Sequence, residues 1–142
     1  GVDHGVGSCV LTSALLRNKQ EGFQGSYIGT DINKQAGKLL KEPYSSFGKI
    51  LYGDSIKSLL KIKDRIDIFI NDSDHSSEYE FQEYLTIEER ISHESIILGD
   101  NSHFSNSLSK FSKRTNRNFL FFKEIPKNHW YPGAGIGISF GK

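Results

Sequence analysis

The sequence predicts an α/β fold in which a doubly wound, mostly parallel sheet ends in an antiparallel β-hairpin. Two observations lead to this prediction. Short apolar runs typical of strands alternate with amphipathic segments of helical period along most of the chain. The last two apolar runs, Asn118–Ile125 and Ala134–Phe140, are joined only by Pro126–Gly133. That connection is too short for the crossover helix that a parallel pair requires, so the pair is expected to be antiparallel.

In the first half of the chain, predicted helices and strands alternate. In order, the predicted elements are a helix through Val10, Leu11, Ala14 and Leu15 that ends near Asn18, a strand Tyr27–Ile32, a helix marked by Ala36, Leu39 and Leu40, a strand Lys49–Tyr52, and a helix that Ser55 can cap and that carries Leu59 and Leu60.

The second half continues the alternation before the hairpin. The apolar core of the strand Ile66–Asn71 is typical of a central strand covered on both faces. The elements after it are a helix beginning at Ser76 or Ser77 with Phe81, Tyr84, Leu85, Glu88 and Ile91 on its inward face, a strand Ser95–Leu98, and a helix with Phe104, Leu108 and Phe111 at helical spacing.

Composition limits the classes of function. The length of 142 residues predicts a single domain spanning 1–142. A content of 36% hydrophobic and 25% charged residues is ordinary for a globular protein. A net charge of +1 argues against bulk nucleic acid as a partner, and no apolar run is long enough to cross a membrane. A single cysteine, Cys9, cannot form an internal disulfide, which favours a cytoplasmic location. The oligomeric state is left open, a homo-oligomer included.

The start of the chain is unusual. The sequence contains no Met and opens at Gly1-Val2-Asp3, which reads as the end of a strand. We therefore expect a segment of the natural protein to precede Gly1.

The stretch Asp3–Ser8 contains two glycines where the first strand would turn into the first helix. Gly5 and Gly7 would let the backbone approach a ligand closely, and a helix N-terminus offers unpaired N–H groups. A structural tight turn is an equal alternative. The third glycine of the dinucleotide fingerprint is missing, because Val10 occupies its place.

Acids lie at or just after the ends of the next two predicted strands. Asp31 lies 24 residues after Gly7, at a position where an acid can accept hydrogen bonds from both hydroxyls of a ribose. The alternative is a helix cap for the segment that begins at Asn33. Asp54 and Ser55 repeat this pattern after the third strand, where they could reach a purine edge or merely cap a helix.

Polar clusters also follow the strands Ile66–Asn71 and Ser95–Leu98. Asp72, Asp74 and His75 come after the first strand, and Asp100 and Asn101 come after the second. Because the carboxyl ends of neighbouring parallel strands open into one crevice, we expect these side chains to converge. The sequence thus indicates a candidate metal or proton-transfer site.

These motifs together resemble the class I S-adenosylmethionine-dependent methyltransferases, which have a Rossmann-like sheet with an antiparallel C-terminal hairpin. The resemblance covers essentially the whole chain and rests on the glycine loop DHGVGS, the ribose-acid motif YIGTDI, the adenine-side motif YGDS and the hairpin. The tract INDSDHSSEYEF…IILGDN is similar to the metal-dependent O-methyltransferases, especially the macrocin/mycinamicin sugar type, and also to the catechol and caffeoyl-CoA enzymes.

The resemblance implies roles for particular residues. Asp72, Asp100 and Asn101 would hold a divalent metal, Mg²⁺ by its ligand preferences, and Asp74 is a rival for the role of Asp72. His75 would be the general base, with a purely structural histidine as the alternative and His103 as a second candidate. S-adenosylmethionine would be bound by Asp3, Gly5, Gly7, Asp31, Ile32, Asp54 and Ser55.

The expected activity is therefore O-methylation of a small hydroxylated substrate, of sugar or natural-product type, assisted by a divalent metal. Two alternatives remain: a metal-independent methyltransferase, or a non-catalytic or partner-dependent nucleotide-binding module. A dinucleotide-dependent dehydrogenase is disfavoured by Val10 and by the absence of a second catalytic domain.

Overall fold

The structure, a computed structural model, describes residues 1–74, 76–100, 102–103, 105–130 and 133–142. It divides into two compact units, Gly1–Ser58 and Leu59–Lys142. A single domain spanning both units stays a prediction. The predicted base His75, the predicted metal ligand Asn101 and the predicted helix residue Phe104 lie outside the described residues.

The first unit contains a two-stranded parallel sheet and one long helix. Tyr27 lies opposite Gly48 and Asp31 opposite Tyr52 in the sheet, so both strands end at the same edge. The elements are α1 (Val6–Gln20), β1 (Tyr27–Asp31), a 3₁₀ helix (Tyr44–Phe47), β2 (Gly48–Tyr52) and α2 (Ser55–Leu59), whose last residue belongs to the second unit.

Helix α1 buries a polar face. Ser8 and Thr12 are buried, whereas Val10, one of the apolar residues that predicted the helix, is 65% exposed. The Ser8 hydroxyl bonds the Tyr27 hydroxyl at 2.8 Å, and Thr12 Oγ1 donates to the Ser8 carbonyl at 2.7 Å. The predicted helix is present, and its buried residues are these two, because small hydroxyl side chains satisfied by such bonds can be buried in close contact.

The helix predicted around Ala36, Leu39 and Leu40 is not formed; this segment consists of turns. Gly37 has a φ of +77°, which a right-handed helix cannot accommodate. The Gly37 N–H bonds the Asp3 carbonyl at 2.6 Å and the Leu39 N–H bonds the His4 carbonyl at 3.1 Å. Backbone donors that a helix would use internally therefore hold the loop before α1.

The second unit contains a four-stranded sheet in the order β3-β4-β6-β5. Strands β3 and β4 are parallel, whereas β6 is antiparallel to both β4 and β5. The predicted antiparallel hairpin and the α/β class are thereby confirmed. The elements are β3 (Ile66–Asn71), α3 (Ser77–Ile87), a 3₁₀ helix (Glu88–Arg90), β4 (Ile91–Asp100), α4 (Ser107–Arg114), β5 (Asn118–Lys123) and β6 (Gly135–Phe140).

The core of the second unit lies between its sheet and the helices α3 and α4. Tyr84 and Phe111 are fully buried with ring centroids 5.6 Å apart, and Ile87, Ile97 and Leu108 pack with them. Burial of each such side chain stabilises the fold by roughly 1.5–3 kcal/mol. This core fixes α3 and α4 against one face of the sheet.

The predicted inward face of α3 is wrong in part. The buried residues are Glu80, Glu83, Tyr84 and Ile87, while the predicted Ile91 belongs to β4. These four positions have the spacing i, i+3, i+4, i+7 of one helix face. An apolar pattern leaves out the two glutamates because of their charge, although each has hydrogen-bond donors beside it in the fold.

Strand β3 is an outer strand of the four-stranded sheet, not a central one. Ile68 is 57% exposed and Ile70 is 44% exposed, so the prediction that both faces of this strand are covered is also wrong.

Candidate functional site

The glycine turn before α1 uses its two predicted glycines differently. Gly5 has a φ of +97°, and a Cβ there would lie 3.1 Å from the Cα of Gly37. A Cβ at Gly7 would meet nothing within 4 Å. Gly5 is therefore required by the conformation and packing of the turn, whereas Gly7 leaves the first turn of α1 open to close approach by another molecule.

Asp31 ties this turn to the end of β1. Its Oδ2 accepts the N–H of Val2 at 2.8 Å and that of Asp3 at 3.0 Å, and its Oδ1 accepts the N–H of Asn33 at 2.8 Å. The bond from Asn33 matches the capping alternative, although no helix follows. A carboxylate can accept about four hydrogen bonds, so Asp31 can still accept a further one beside these three.

The Asp31 carboxylate is ionised at neutral pH. Partial burial acts to raise its pKa, but the hydrogen bonds from the N–H groups of Asp3, Asn33 and Val2 together outweigh burial and lower it. The side chain of Asp3 is exposed, and its hydrogen bond with His4 Nδ1, at 2.9 Å, lowers the pKa of that carboxyl as well. Two negative charges thus flank the glycine turn.

The turn after β2 joins the same group of loops. The Gly53 N–H donates to the Asp31 carbonyl at 2.8 Å, which holds the start of this turn against the end of β1. Asp54 Oδ1 accepts the Lys57 N–H at 2.8 Å, so Asp54 rather than Ser55 caps α2. Ile32 is 82% exposed beside Asp31. The structure therefore brings the glycine turn, Asp31, Ile32 and the Asp54 turn together at one edge of the first unit.

Asp72 directly follows β3, and Asp100 is the last residue of the neighbouring strand β4. Asn71 lies opposite Gly99 in the parallel pair of β3 and β4, so each acid stands one residue beyond this last pair. Neighbouring strands are roughly 4.8 Å apart, so the two acids leave adjacent strands at the same level of the sheet. The rival Asp74 accepts the N–H of Ser76 at 2.8 Å and thereby shapes the start of α3.

The ends of β3 and β4 turn the same face to the helices. A Cβ on Gly99 would lie 2.8 Å from the Tyr84 hydroxyl oxygen, so that position of β4 faces the helices. The Asn71 side chain likewise points to α3, where it donates to Glu83 at 2.7 Å. Because successive side chains of a strand alternate, Asp100 at the end of β4 is directed to the opposite side of the sheet.

Oxygen donors from two adjacent strand ends suit Mg²⁺. Among the described residues there is no group of three or more His, Cys, Asp or Glu side chains that could hold a metal. The predicted set consists of two acids and one amide, and the amide, Asn101, lies outside the described residues. The metal-binding role of this set stays a prediction.

Two buried glutamates of α3 were missed by the sequence analysis. Glu80 and Glu83 of α3 are 3% and 2% exposed. Glu83 Oε2 accepts the side chains of Asn71 and Ser73, each at 2.7 Å, and Glu80 accepts the hydroxyls of Tyr84 and Ser105. The signal that could have found them is their i, i+3 spacing on the face that carries Tyr84 and Ile87.

A cleft of about 590 Å³ opens in the second unit next to the segment that follows β4. Its walls include the side chains of Ser102, His103 and Asn106 and the rings of Phe119 and Phe121. His103, the second candidate base, has its ring centroid 6.4 Å from that of Phe121. The cleft thus combines hydrogen-bonding groups with aromatic surface.

Comparison with known protein families identifies the family of the chain. The family described as methyltransferase domain matches residues 1–102, which include the glycine turn, Asp31, Asp54, Asp72 and Asp100. The chain belongs to this methyltransferase family. No curated protein matches the sequence at a significant level.

Solved methyltransferase structures share the fold of this family member at low identity. The O-methyltransferase TomG from Streptomyces achromogenes, involved in tomaymycin synthesis and solved with S-adenosylmethionine, is 10% identical with a TM-score of 0.74, over 99% of this chain and 70% of that one. An O-methyltransferase from Bacillus cereus in complex with S-adenosylhomocysteine is 12% identical with a TM-score of 0.70, over 100% and 71%. A Podospora anserina methyltransferase, bound to the same product, is 14% identical with a TM-score of 0.63, over 100% and 69%.

Within the described part of this methyltransferase-family chain, no helix combines the length and the apolar character needed to cross a bilayer.

Proposed function

We propose that this chain is an S-adenosylmethionine-dependent O-methyltransferase that acts on a small hydroxylated acceptor with the help of a divalent metal. The observation that carries the proposal is the convergence of the glycine turn, Asp31 and Ile32 at one edge of the first unit, in a chain of a methyltransferase family. Two of the solved structures with this fold are O-methyltransferases bound to the cofactor or its product.

The groups of the first unit match the parts of this cofactor. The open space at Gly7 admits a ligand to the first turn of α1. The ionised Asp31 can accept a further hydrogen bond from a ribose hydroxyl, and the exposed Ile32 offers an apolar contact for a flat base. Asp3, Asp54 and Ser55 remain candidates for polar contacts around it.

The acids of the second unit support the metal part of the proposal. Asp72 and Asp100 would hold Mg²⁺ together with Asn101, because all three supply the hard oxygen ligands that this ion prefers. When bound, the cofactor supplies an activated methyl group, and the metal makes an acceptor hydroxyl easier to deprotonate. His75, or alternatively His103 at the wall of the cleft, would take the hydroxyl proton.

The acceptor class is taken from the resemblance of the tract INDSDHSSEYEF…IILGDN to the metal-dependent O-methyltransferases, which points to a sugar or a phenolic natural product. The two solved O-methyltransferases that share the fold are consistent with a hydroxyl acceptor.

A methyl-transfer assay tests the proposal. The purified chain is incubated with S-adenosylmethionine labelled at the methyl group and a panel of sugars and catechols, with Mg²⁺ or with EDTA. We expect label in at least one acceptor with Mg²⁺, and loss of that transfer in EDTA and in the Asp100→Ala variant, which should still bind S-adenosylhomocysteine.

Other results would contradict particular parts of the proposal. Equal transfer in EDTA would show a metal-independent methyltransferase. Cofactor binding without transfer to any acceptor would favour the non-catalytic module.

A further inference from the structure

The buried Glu83 of α3 contacts the residues on both sides of Asp72. Its Oε2 accepts Nδ2 of Asn71 at 2.7 Å and Oγ of Ser73 at 2.7 Å. Glu83 is 2% exposed and Asn71 is 4% exposed, so the bond between them forms in a solvent-excluded environment, whereas the bond to Ser73 is partly buried. One carboxylate oxygen therefore anchors the chain immediately before and immediately after the predicted metal ligand.

This double anchor bears on the backbone at Asp72. The described pairing of β3 with β4 ends at Asn71 and Gly99, so sheet register alone does not fix the backbone at Asp72. Glu83 holds the residue on each side of Asp72, so the segment that carries this acid is tied to α3 at both ends. Asp100 follows Gly99 in β4, which places the tied segment next to the second predicted ligand.

The burial of Glu83 needs a compensating benefit. Placing a carboxylate in a protein interior is costly unless hydrogen bonds replace its water, and an apolar residue would fill the same space on α3 at no such cost. Holding a turn in one conformation is a use that an apolar residue could not serve.

We propose that Glu83 is a positioning residue, which holds the turn after β3 so that the Asp72 carboxylate faces the same divalent cation as Asp100. The inference rests on the metal part of the proposed function. It predicts that Glu83 affects metal affinity although it does not itself bind the metal.

Binding of Mn²⁺, followed by the electron paramagnetic resonance signal of the free ion, tests this inference without an activity assay. Loss of an outer partner of a metal ligand weakens affinity about 10- to 100-fold, which we expect for Glu83→Leu. Glu83→Gln keeps an oxygen that can accept both hydrogen bonds, and its affinity should stay within about threefold of that of the unaltered chain.

Two further variants make the test specific. Glu80→Gln changes an equally buried acid of α3 that bonds Tyr84 and Ser105, and it should leave Mn²⁺ affinity unaltered. Ser73→Ala removes one of the two anchors at a partly exposed position, and it should weaken binding by about three- to tenfold. This variant keeps the inference testable if Glu83→Leu does not fold.

The outcomes separate this inference from the proposed function. Mn²⁺ binding that is unaltered in both Glu83→Leu and Ser73→Ala would overturn the positioning role alone. An unaltered chain that binds S-adenosylhomocysteine but no Mn²⁺ would overturn the metal site and the positioning role with it. Weakened Mn²⁺ binding in the variants, with unchanged affinity for S-adenosylhomocysteine, supports the inference.

Discussion

Asp31 combines two tasks in one side chain. It holds Val2, Asp3 and Asn33 through their backbone N–H groups, and it is the residue proposed to bind the ribose of the cofactor. A change in the charge of Asp31 should therefore alter both the stability of the folded turn and the affinity for the cofactor.

The pH dependence of stability tests the first of these tasks. Burial acts to raise the pKa of Asp31, but its backbone donors outweigh burial and lower it below the ordinary 3.8. The folded state then binds the proton more weakly than the unfolded chain, so its stabilising contribution is complete above about pH 4 and is lost as the pH falls through the folded pKa. Asp31→Asn should therefore flatten the dependence of the unfolding free energy on pH below about 4.

Urea denaturation at a series of pH values measures this dependence, with Asp64→Asn, a change at an exposed acid, as the control. The same slope in Asp31→Asn and in the unaltered chain would show that the hydrogen bonds to Asp31 do not stabilise the folded turn.

Gly5 and Gly7 should respond in opposite ways to alanine. Gly5→Ala places a side chain at a φ of +97° and against Gly37, so it should destabilise the fold by at least about 1 kcal/mol. Gly7→Ala meets nothing within 4 Å and improves helix propensity, so thermal stability should be equal or slightly higher. Its affinity for S-adenosylhomocysteine should nevertheless fall at least about tenfold, because the methyl group occupies the space proposed for the ligand.

Thermal unfolding and calorimetric titration of the two variants separate these effects. If Gly7→Ala binds S-adenosylhomocysteine as tightly as the unaltered chain does, Gly7 has no part in the cofactor site.

At the scale of elements, the buried Arg117 joins three strands of the second unit. It is 8% exposed and directly precedes β5. Its guanidinium donates to the carbonyls of Ser92 and Ser95 in β4 and to the hydroxyl and carbonyl of Ser139 in β6. Five donors in a planar fork can satisfy several acceptors at once, which a lysine cannot reproduce.

Arg117→Lys should lower the unfolding free energy by about 2–4 kcal/mol, because several buried acceptors lose their donors. Urea denaturation measures the change. Arg114→Lys is the matched control: Arg114 is exposed and pairs with Glu88 at 3.2 Å, so its replacement should cost less than about 1 kcal/mol. Equal stability of the two variants would contradict a joining role for Arg117.

The predictability of each element from sequence depends on the interactions that form it. The strand Ile66–Asn71 and the C-terminal hairpin were found because local apolar runs determine them. The Gly37 turns and the buried glutamates of α3 were missed because they depend on distant partners: Asp3 and His4 in the first case, Asn71 and Ser105 in the second. The partners of such hydrogen bonds lie far away in the chain, so local sequence patterns do not reveal them.

For the whole molecule, the family and the fold were both predicted from the order of motifs and are confirmed by the family match and by the solved structures. The positions of Asp31 and Asp100 at the ends of β1 and β4, and of Asp72 just after β3, were predicted because parallel strands end at one edge. The face that the end of β4 turns to the helices was not predictable, since it depends on the packing of Gly99 against Tyr84.

Calorimetric titration of S-adenosylhomocysteine into the purified chain tests the central claim most directly. We predict saturable binding at one site per chain, with at least about tenfold weaker affinity in Asp31→Ala, whose ribose acceptor is lost. Absence of binding by a sample that circular dichroism shows to be folded would contradict the assignment of this chain as an S-adenosylmethionine-dependent enzyme.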